Sequence, residues 1–540
     1  MADAGTWVDE LVATTKAHSD PDYDRQLLKL CHKGLARGGA AGFFSKATMD
    51  SRYGVGKWRP LKRFVIKQGD KFRAIDDGRI SGHNEASSSA SRVHTVSHEH
   101  VCSIFRRLHD HTRILQKVAT AKGFPLLAEC GVDDESAAYR YKPGASIDAN
   151  VLIIAFWHWE LKSIQFLELW GHPFGLMSSV VNYNRGPELI QSATRALGLV
   201  LSVHFYDDHA VIGLAHERGS AQQFLHVLAE LTGTLLDRSK RTLMKPVFNY
   251  TGALFDATML FQTGVLIIAP KEGRREKIVE EVKDILKTNT LTSGRASTLR
   301  GKLGYLSLQL TGHMARGCEL PLIKRQYHDK TSVIAPSLRQ ALIFMQHIVR
   351  VVPDRMMNFA LPKEPPVLLY TDAMFQDGKP CRMGFILHTH RSSVTIAGTH
   401  DVPETLLAQF VEKKTHIGQA EILAVLLAIF THRHLLRSSH IWLFVDNQSA
   451  LSGVISNVSP CADSSALLTV MAVLTAKYDM HIWAEYVESA ANISDGLSRD
   501  GAADEMHKQL GCKLCPCSLP PLDNLYSAPL ESLLALFDAT

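Results

Sequence analysis

The sequence has little net charge, few cysteines and no long apolar run. Its 540 residues carry 59 lysines and arginines against 54 aspartates and glutamates, a net charge of +5. That excess is too small to indicate a nucleic-acid partner by itself. No apolar stretch approaches the ~18 residues needed to span a bilayer, and the N-terminus has no apolar signal core. The composition therefore argues against a membrane protein.

The nine cysteines are scattered except for Cys512, Cys515 and Cys517. This distribution favours a reduced protein over a disulfide framework. We therefore expect an intracellular protein, cytoplasmic or nuclear, with no membrane partner.

Hydrophobic residues make up 46% of the chain and charged residues 21%, as in globular proteins. At roughly 100–200 residues per domain, the length predicts about three to five domains. The clearest linker is the proline-containing stretch 353–366. After it, the pattern predicts strands and helices in the order β-β-β-α-β-α-β, which is an α/β unit of about 130 residues.

Two adjacent carboxylates lie at the tip of a predicted hairpin. Asp207 and Asp208 separate two apolar runs. By itself such a pair is most often a solvated turn, since aspartate favours turns. Asp134 also follows an apolar run, and Tyr139 comes five positions after it. Because neighbouring acids repel each other unless they share cations, the set could hold divalent ions.

Further motifs occur in order around these acids. Upstream lies Lys71-Phe72-Arg73, and between the acids lies Pro173-Phe174-Gly175-Leu176. The series K-x-R, D-x-x-x-A-Y, P-F-G-L and Y-D-D resembles the ordered motifs of reverse transcriptases, particularly gypsy- and DIRS-like ones. The resemblance covers residues 62–335. It implies a fingers–palm–thumb polymerase.

The resemblance also implies roles for the matching residues. The catalytic, metal-binding carboxylates would be Asp134, Asp207 and Asp208, holding two Mg²⁺ ions, with Mn²⁺ as an alternative. The substrate-binding residues would be Lys71, Arg73, Tyr139, Phe174, Gly175 and Lys240. Two choices stay open, because Asp133 adjoins Asp134 and Arg241 adjoins Lys240. Structural roles also stay open, namely surface charge for Lys71 and Arg73 and core packing for Tyr139.

Four more acids are spaced along the predicted α/β unit: Asp372, Glu421, Asp446 and Asp495. Singly, each could cap a helix or end a strand, but acids at strand ends converge at one sheet edge. Their order, with the ending N-x-x-D-x-x-S-R at 492–499, resembles ribonuclease H over 367–500. The resemblance implies that all four are catalytic, hold two Mg²⁺ ions and cleave the RNA strand of an RNA–DNA hybrid. The loop 487–491 lacks the histidine that many ribonucleases H carry, so we expect slower cleavage.

The sequence also contains four weaker patterns. The cluster His98, His100, Cys102, His109 and His111 matches no standard zinc spacing, so we expect a polar helix face. Cys512, Cys515 and Cys517 could bind zinc, but beyond His507 no fourth ligand is evident, so we expect surface or loosely ordered thiols. Basic residues between 238 and 302 favour phosphate contact. A short amphipathic helix is predicted over 530–537.

The predicted fold class is α/β and α+β multidomain, a fingers–palm–thumb polymerase followed by a ribonuclease H-like α/β domain. The predicted regions are an N-terminal extension (1–60), fingers and palm (61–235), thumb and connection (236–352), linker (353–366), ribonuclease H-like domain (367–500) and C-terminal tail (501–540).

The predicted function is RNA-directed DNA polymerisation with ribonuclease H cleavage. Its partners would be an RNA template, a DNA primer, dNTPs and an RNA–DNA hybrid. One alternative is a catalytically impaired, retroelement-derived nucleic-acid-binding protein. The other is a ribonuclease H-like nuclease with an unrelated N-terminal region.

Overall fold

The computed structural model describes residues 3–89, 92–310, 319–360, 362, 364–376, 378–411 and 414–522. The helix predicted over 530–537 lies outside these residues. The chain forms two compact units, an N-terminal unit of residues 1–251 and a C-terminal unit of residues 252–540. Both mix helices and strands. In the part of the chain that the structure describes, no helix is long and apolar enough to cross a membrane.

The N-terminal unit contains two sheets and the helices that cover them. Its elements are α1 (Ala4–Thr14), α2 (Pro21–Ala36), β1 (Ala40–Phe44), α3 (Lys46–Tyr53), β2 (Pro60–Gln68), β3 (Lys71–Asp77), α4 (His98–Asp110), α5 (Thr112–Ala121), β4 (Ala128–Asp134), β5 (Ile153–His158), β6 (Ser163–Leu169), α6 (Met177–Gly198), β7 (Leu201–Phe205), β8 (Asp208–Leu214), α7 (Ser220–Leu231), β9 (Thr242–Lys245) and β10 (Val247–Tyr250).

The first sheet has the strand order β1-β6-β5-β2-β3. Its β2–β3 hairpin turns at Gly69, which has a positive φ of 61°, as the Gly-Asp pair predicts. Helix α2 packs on this sheet through Leu27, Leu28 and Cys31. The sheet and this helix therefore share one apolar core.

The second sheet has the order β7-β8-β4-β9, so β4 and β8 are central. Nearly every residue of β8 is buried, as expected for a strand covered on both faces. Helices α6 and α7 cover one face, where Ile190, Val211 and Leu225 form a small core. Antiparallel pairing sets Asp134 opposite Asp208 at the end of the sheet.

Two predictions for this unit were wrong in detail. The apolar pattern 101–115 predicts one helix, but the structure has α4 and α5, which meet at His111. The His111 ring Nδ1 lies 2.8 Å from the carbonyl oxygen of Arg107, and such side-chain bonds compete with helix continuation. Strand β6 was not predicted, because its first half is polar and half-buried.

The C-terminal unit contains a small sheet with helices, followed by a larger α/β sheet. Its elements are β11 (Ala253–Asp256), α8 (Leu260–Thr263), β12 (Val265–Pro270), α9 (Arg274–Thr288), α10 (Ser293–Ser307), α11 (Glu319–Tyr327), α12 (Pro336–Val351), β13 (Arg355–Asn358), β14 (Val367–Met374), β15 (Arg382–His388), β16 (Ile396–Asp401), α13 (Glu404–Leu407), α14 (Ile417–Thr431), β17 (His440–Val445), α15 (Gln448–Ser456), α16 (Ala462–Lys477), β18 (His481–Tyr486), α17 (Asp495–Arg499), α18 (Glu505–Gln509) and β19 (Lys513–Leu514).

The small sheet pairs β11, β12 and β13 in antiparallel fashion. Strand β13 lies within the predicted linker 353–366, so the first half of that stretch is an ordered strand. Leu299, Val282 and Leu342, from three helices of this region, are fully buried. These helices pack their apolar stripes together, as amphipathic helices do.

The larger sheet has the order β18-β17-β14-β15-β16-β19, with β14 parallel to β17 and antiparallel to β15. Helix α14 packs on it and is buried nearly all round, as its apolar run over residues 422–430 predicts. Over residues 367–487 the observed order matches the prediction except that α13 and α15 are added. Helix α15 begins directly after Asp446, where Asn447 caps it by accepting from the backbone N–H of Ala450 at 3.0 Å.

Candidate active sites

Three carboxylates of the N-terminal unit meet where β4 and the β7–β8 hairpin end. The hairpin turn consists of Tyr206 and Asp207, and Tyr206 has a positive φ of 53°. A non-glycine residue rarely adopts this conformation, and it is often found at functional sites. The backbone N–H of Glu135 donates to the carbonyl oxygen of Asp207 at 2.8 Å. This bond continues the strand pairing and holds the turn beside Asp134.

The electrostatics of these carboxylates show a site that favours cations. Burial, and then the nearby charges of Asp207 and Asp134, raise the pKa of Asp208 to about 6. Burial also raises the pKa of Asp207, with a further contribution from Asp134. The Lys240 ammonium lies 2.7 Å from Oδ1 of Asp134. A cationic side chain therefore already balances part of the negative charge.

The neighbouring aspartates Asp133 and Asp134 face opposite sides of β4. Asp133 is only 1% exposed, and it accepts hydrogen bonds from Gln222 at 2.8 Å, His226 at 3.0 Å and Arg241 at 3.0 Å. Its carboxylate is thus occupied inside the unit. In the structure Lys240 pairs with Asp134, whereas Arg241 pairs with Asp133.

A buried pair behind these carboxylates was not found from the sequence. His209 Nε2 donates to Oε1 of Glu135 at 2.9 Å, and the two side chains are 3% and 4% exposed. Lys142 Nζ lies 3.5 Å from the second oxygen of Glu135. Glu135 follows Asp134 and His209 follows Asp208, so the pair links the two carboxylate-bearing strands. Charged residues directly after both aspartates in otherwise apolar strands were the available signal.

Tyr139 lies beside the carboxylates in a 3₁₀ turn at Ala138–Tyr141. Its ring contacts Tyr183, with centroids 4.6 Å apart, and Phe174, with centroids 5.0 Å apart. Burial raises the pKa of Tyr139, and the charges of Tyr206 and Asp207 contribute. The structure therefore brings together Tyr139, Phe174 and Asp207, three residues that the sequence motifs singled out.

Gly175 holds the Phe174 loop against the end of β3. It has a φ of 113°, and a Cβ atom here would lie 2.0 Å from the carbonyl oxygen of Asp76. The backbone N–H of Asp76 donates to the Phe174 carbonyl at 3.0 Å, and Asn84 Nδ2 donates to the Gly175 carbonyl at 3.0 Å. Only glycine fits this position without displacing the backbone.

Arg73 and Lys71 are both exposed on β3. Arg73 and Phe174 line a cavity of about 320 Å³, whereas Lys71 does not line it. Four more cationic residues line this cavity, and the sequence did not single them out: Lys33, Arg37, Arg63 and Arg140. Arg63 and Arg140 both bind the fully buried Asp76, at 2.6 and 2.7 Å. The excess of cations suits an anionic ligand.

The C-terminal unit holds a tighter carboxylate cluster. Asp372 lies near the end of β14, Glu421 lies in the second turn of α14, and Asp446 follows β17. One carboxylate oxygen of each lies within 4.8 Å of the others. In the described part of the chain no other three histidine, cysteine or acidic side chains come so close. Asp134, Asp207 and Asp208 therefore form a looser group than this acidic triad.

Burial disfavours the ionised carboxylates of the acidic triad, so a bound cation would stabilise them. Burial, with the charges of Asp372 and Asp446, raises the pKa of Glu421 to about 10. Burial also raises the pKa of Asp372 to about 7, with Asp446 and Asp495 adding and a Ser498 hydrogen bond opposing. Among the described residues, none hydrogen-bonds to Oε2 of Glu421. Such an orphaned carboxylate oxygen fits a hard divalent cation, which prefers oxygen ligands.

Residues near the end of the larger sheet position Asp372. Ser498 donates to one oxygen of Asp372, and the Asn492 amide lies 3.5 Å from the other. Asp495 lies outside the triad and pairs with Arg499 at 2.8 Å, but its charge acts on Asp372. Of the four predicted acids, the structure brings three together and places the fourth nearby.

Two of the weaker patterns differ from expectation. Several basic residues between 238 and 302 pair with acids, namely Lys240–Asp134, Arg241–Asp133, Arg275–Asp354, Arg295–Asp284 and Lys302–Glu281, and phosphate contact by this region stays a prediction. The expected polar face at 98–111 is partly wrong, since His98 and Cys102 are buried. The expected loose thiols are also wrong. Strand β19 pairs with β16, and the three cysteines are half-buried.

No family model matches the chain, and no curated protein matches it. Among solved structures the chain is similar to a foamy viral protease-reverse transcriptase dRH in complex with double-stranded DNA, with a TM-score of 0.47 and 11% identity, covering 87% of this chain and 71% of that one.

Two further solved structures are similar. The foamy viral protease-reverse transcriptase in complex with double-stranded DNA has a TM-score of 0.45 and 12% identity, with coverage of 88% and 87%. The same protein in complex with an RNA/DNA hybrid has a TM-score of 0.40 and 11% identity, with coverage of 83% and 54%. Likeness at this level assigns neither a family nor an activity to the chain.

Proposed function

We propose that the chain is an RNA-directed DNA polymerase with a ribonuclease H activity in its C-terminal unit. The observation that carries the proposal is the presence of two separate carboxylate groups. One is Asp134 opposite the Asp207–Asp208 turn, with Tyr139 beside it. The other is the acidic triad with Asp495 nearby. Both consist of oxygen ligands, as magnesium-dependent phosphoryl transfer requires.

In the polymerase site, Asp134, Asp207 and Asp208 would hold two Mg²⁺ ions. These ions supply activation of the primer 3′-hydroxyl and charge neutralisation at the leaving pyrophosphate. Arg73 would bind the triphosphate of a dNTP as a bidentate donor, and the Tyr139 ring would pack below its sugar. The Lys240 ammonium would balance Asp134 and could turn to a phosphate, since it is more than half exposed.

In the nuclease site, Asp372, Glu421 and Asp446 would hold metal, with Asp495 completing the set. Bound there, Mg²⁺ supplies activation of the attacking water and stabilisation of the leaving 3′-oxygen. Ser498 and Asn492 keep the Asp372 carboxylate oriented by hydrogen bonding. The buried wall formed by α14 excludes bulk water from Glu421. The substrate would be the RNA strand of an RNA–DNA hybrid.

The test is a paired assay on the full chain, with extension of a DNA primer on an RNA template and cleavage of a labelled hybrid. The wild type should do both with Mg²⁺ or Mn²⁺. Asp207→Asn should lower extension by about a thousandfold or more, as loss of a group central to charge stabilisation does, and spare cleavage. Asp446→Asn should do the reverse.

A matched control is Asp256→Asn, a half-buried acid at a strand end that belongs to neither group. It should leave both activities unchanged. If the wild type binds RNA–DNA hybrid but neither extends nor cleaves it, the chain is the impaired nucleic-acid-binding protein instead. If Asp207→Asn retains extension, the polymerase site is assigned wrongly.

A further inference from the structure

A cysteine–histidine pair lies at the far end of α14, away from the nuclease carboxylates in sequence. His432 directly follows α14, and its Nε2 lies 3.4 Å from Sγ of Cys515. The His432 ring also packs edge-on against Phe385, with centroids 5.6 Å apart. The backbone N–H of Cys515 donates to the Ala397 carbonyl at 3.0 Å. Both partners are therefore held in place by ordered elements.

A second thiol stands beside the first. The Cys517 sulfur lies 3.4 Å from the carbonyl oxygen of Cys515. Its sulfur packs against β16, where a Cβ atom on Gly398 would lie 2.6 Å from it. The backbone N–H of Ser518 donates to Oγ of Thr431 at 3.1 Å, which anchors the segment on the end of α14. The segment Cys-Pro-Cys thus presents two thiols next to one imidazole.

These neighbours favour ionisation of one thiol. Hydrogen bonding from Cys517 and from the His432 imidazole lowers the pKa of Cys515 to about 5. Cys512 lies three residues earlier and is also half-buried. Its pKa is raised by burial rather than lowered. The thiolate is the nucleophilic form of cysteine. The two cysteines therefore form a natural comparison within one segment.

We propose that Cys515 is a nucleophilic thiol, activated by His432, that hydrogen peroxide oxidises and that Cys517 then resolves as a Cys515–Cys517 disulfide. In the first step the Cys515 thiolate attacks one peroxide oxygen. The O–O bond breaks, the sulfur becomes a sulfenic acid, and hydroxide leaves to become water with a proton from solvent. In the second step the Cys517 sulfur attacks the sulfenic sulfur, and water leaves as the disulfide forms.

The first test is the alkylation rate of the native full chain with iodoacetamide at about pH 6.5. At this pH the lowered pKa of Cys515 and the raised pKa of Cys512 should give Cys515 the larger thiolate fraction, which outweighs the lower intrinsic nucleophilicity of a more acidic thiol. We expect Cys515 to be alkylated several-fold faster than Cys512. Trypsin places the two cysteines on different peptides, since Lys513 lies between them. Equal rates would overturn the proposal.

Two variants separate activation from accessibility. His432→Gln removes the imidazole beside Cys515 but keeps a polar side chain, so alkylation of Cys515 should slow several-fold while the circular dichroism stays unchanged. An unaltered rate in a folded His432→Gln protein would contradict activation by His432. If that variant does not fold, the wild-type comparison of Cys515 with Cys512 still tests activation, and Cys517→Ser tests the resolving role separately. After peroxide treatment, Cys517→Ser should keep a sulfenic acid at Cys515, which a 1,3-dione probe traps. The wild type should instead lose two hydrogen atoms and react no further. A wild type that instead proceeds to the sulfinic acid would overturn the resolving role of Cys517.

Discussion

At the scale of single residues, Gly175 shows most clearly how the backbone restricts the sequence. Its positive φ and its approach to the Asp76 carbonyl are separate constraints. Gly219 has only the first, since its φ is 76° and a Cβ atom there would meet nothing within 4 Å. Alanine substitution at each of the two glycines therefore separates the cost of backbone strain from the cost of steric overlap.

We predict that Gly175→Ala destabilises the chain by more than about 2 kcal/mol, because it adds a backbone clash to the roughly 1 kcal/mol cost of alanine at positive φ. Gly219→Ala should cost only about 1 kcal/mol. Chemical denaturation of both variants, followed by circular dichroism, gives the two values. Equal losses would show that the Phe174 loop can move away from β3.

The position of Tyr139 leads to a prediction about sugar selection. Replacing it with alanine should raise the ratio of ribonucleotide to deoxyribonucleotide incorporation at least about tenfold, since the change opens space beside the carboxylates. Tyr139→Phe should keep the ratio low. Tyr141→Ala, in the same 3₁₀ turn, is the matched control. Single-nucleotide primer extension measures all four ratios, and an unchanged Tyr139→Ala ratio would leave Tyr139 with a packing role only.

Sequence reasoning at this scale reached the residue types but not their orientation. Period-two alternation in β4 says that Asp133 and Asp134 face opposite sides, but not which side carries the site. That choice depends on Gln222 and His226 from α7 and on Arg241. These partners are distant in sequence, so no local pattern could identify them.

At the scale of elements, the buried Glu135–His209 pair joins β4 to β8. Removing one member of a buried pair leaves the other without its partner, which costs about 3 kcal/mol or more. Replacing both with apolar residues of similar volume avoids that cost. We therefore expect His209→Leu to be more destabilising than the double variant with Glu135→Leu, with a coupling energy of about 1–3 kcal/mol.

Urea unfolding of the two single variants and the double variant measures this coupling. The surface pair Glu280–Lys283, 3.0 Å apart and largely exposed, is the control and should couple by less than about 0.5 kcal/mol. If the changes in the free energy of unfolding of the two single variants add up to that of the double variant, the pair does not hold the strands together.

Elements with a strong local signal were predictable. Helix α14 has an uninterrupted apolar run over residues 422–430, and the β2–β3 hairpin has a Gly-Asp turn. Helix α15 was missed because its sequence, QSALSGVIS, is rich in serine and contains glycine, which are weak helix formers. Its cap at Asn447 and its burial against the larger sheet stabilise it instead.

At the scale of the whole molecule, the acidic triad links stability to pH and metal. The raised pKa values of Glu421 and Asp372 mean that the folded state keeps protons that the unfolded state has lost. Stability without metal therefore falls as pH rises from the unfolded values of 4.5 and 3.8 towards the folded values of about 10 and about 7. A bound divalent cation would remove the penalty on the ionised carboxylates.

We predict that in EDTA the melting temperature falls by about 4–8 °C between about pH 5 and pH 8, equivalent to roughly 2 kcal/mol. Millimolar Mg²⁺ should restore most of this loss at the higher pH and little at the lower pH. Glu421→Gln should reduce both effects, whereas Glu10→Gln, an exposed carboxylate, should reduce neither. A melting temperature that Mg²⁺ does not change at any pH would contradict metal binding at the triad.

The division of the chain was less predictable than its elements. Proline content indicates that 353–366 is not helical, but it does not reveal that Arg355–Asn358 pairs with β12. That pairing ties the stretch to the sheet that precedes it. The two paired strands are about 90 residues apart in sequence, so local composition cannot reveal that this stretch forms an ordered strand. The predicted region boundaries remain predictions.

The side chains around Asp133 have a consequence for how β4 aligns with its neighbours. A strand that slips by one residue exchanges its two faces. A slip here would still present a carboxylate, because Asp133 and Asp134 are adjacent. It would also leave Gln222, His226 and Arg241 without the acid that they bind. The three partners of Asp133 therefore favour the alignment in which Asp133 is buried and Asp134 reaches the end of the sheet.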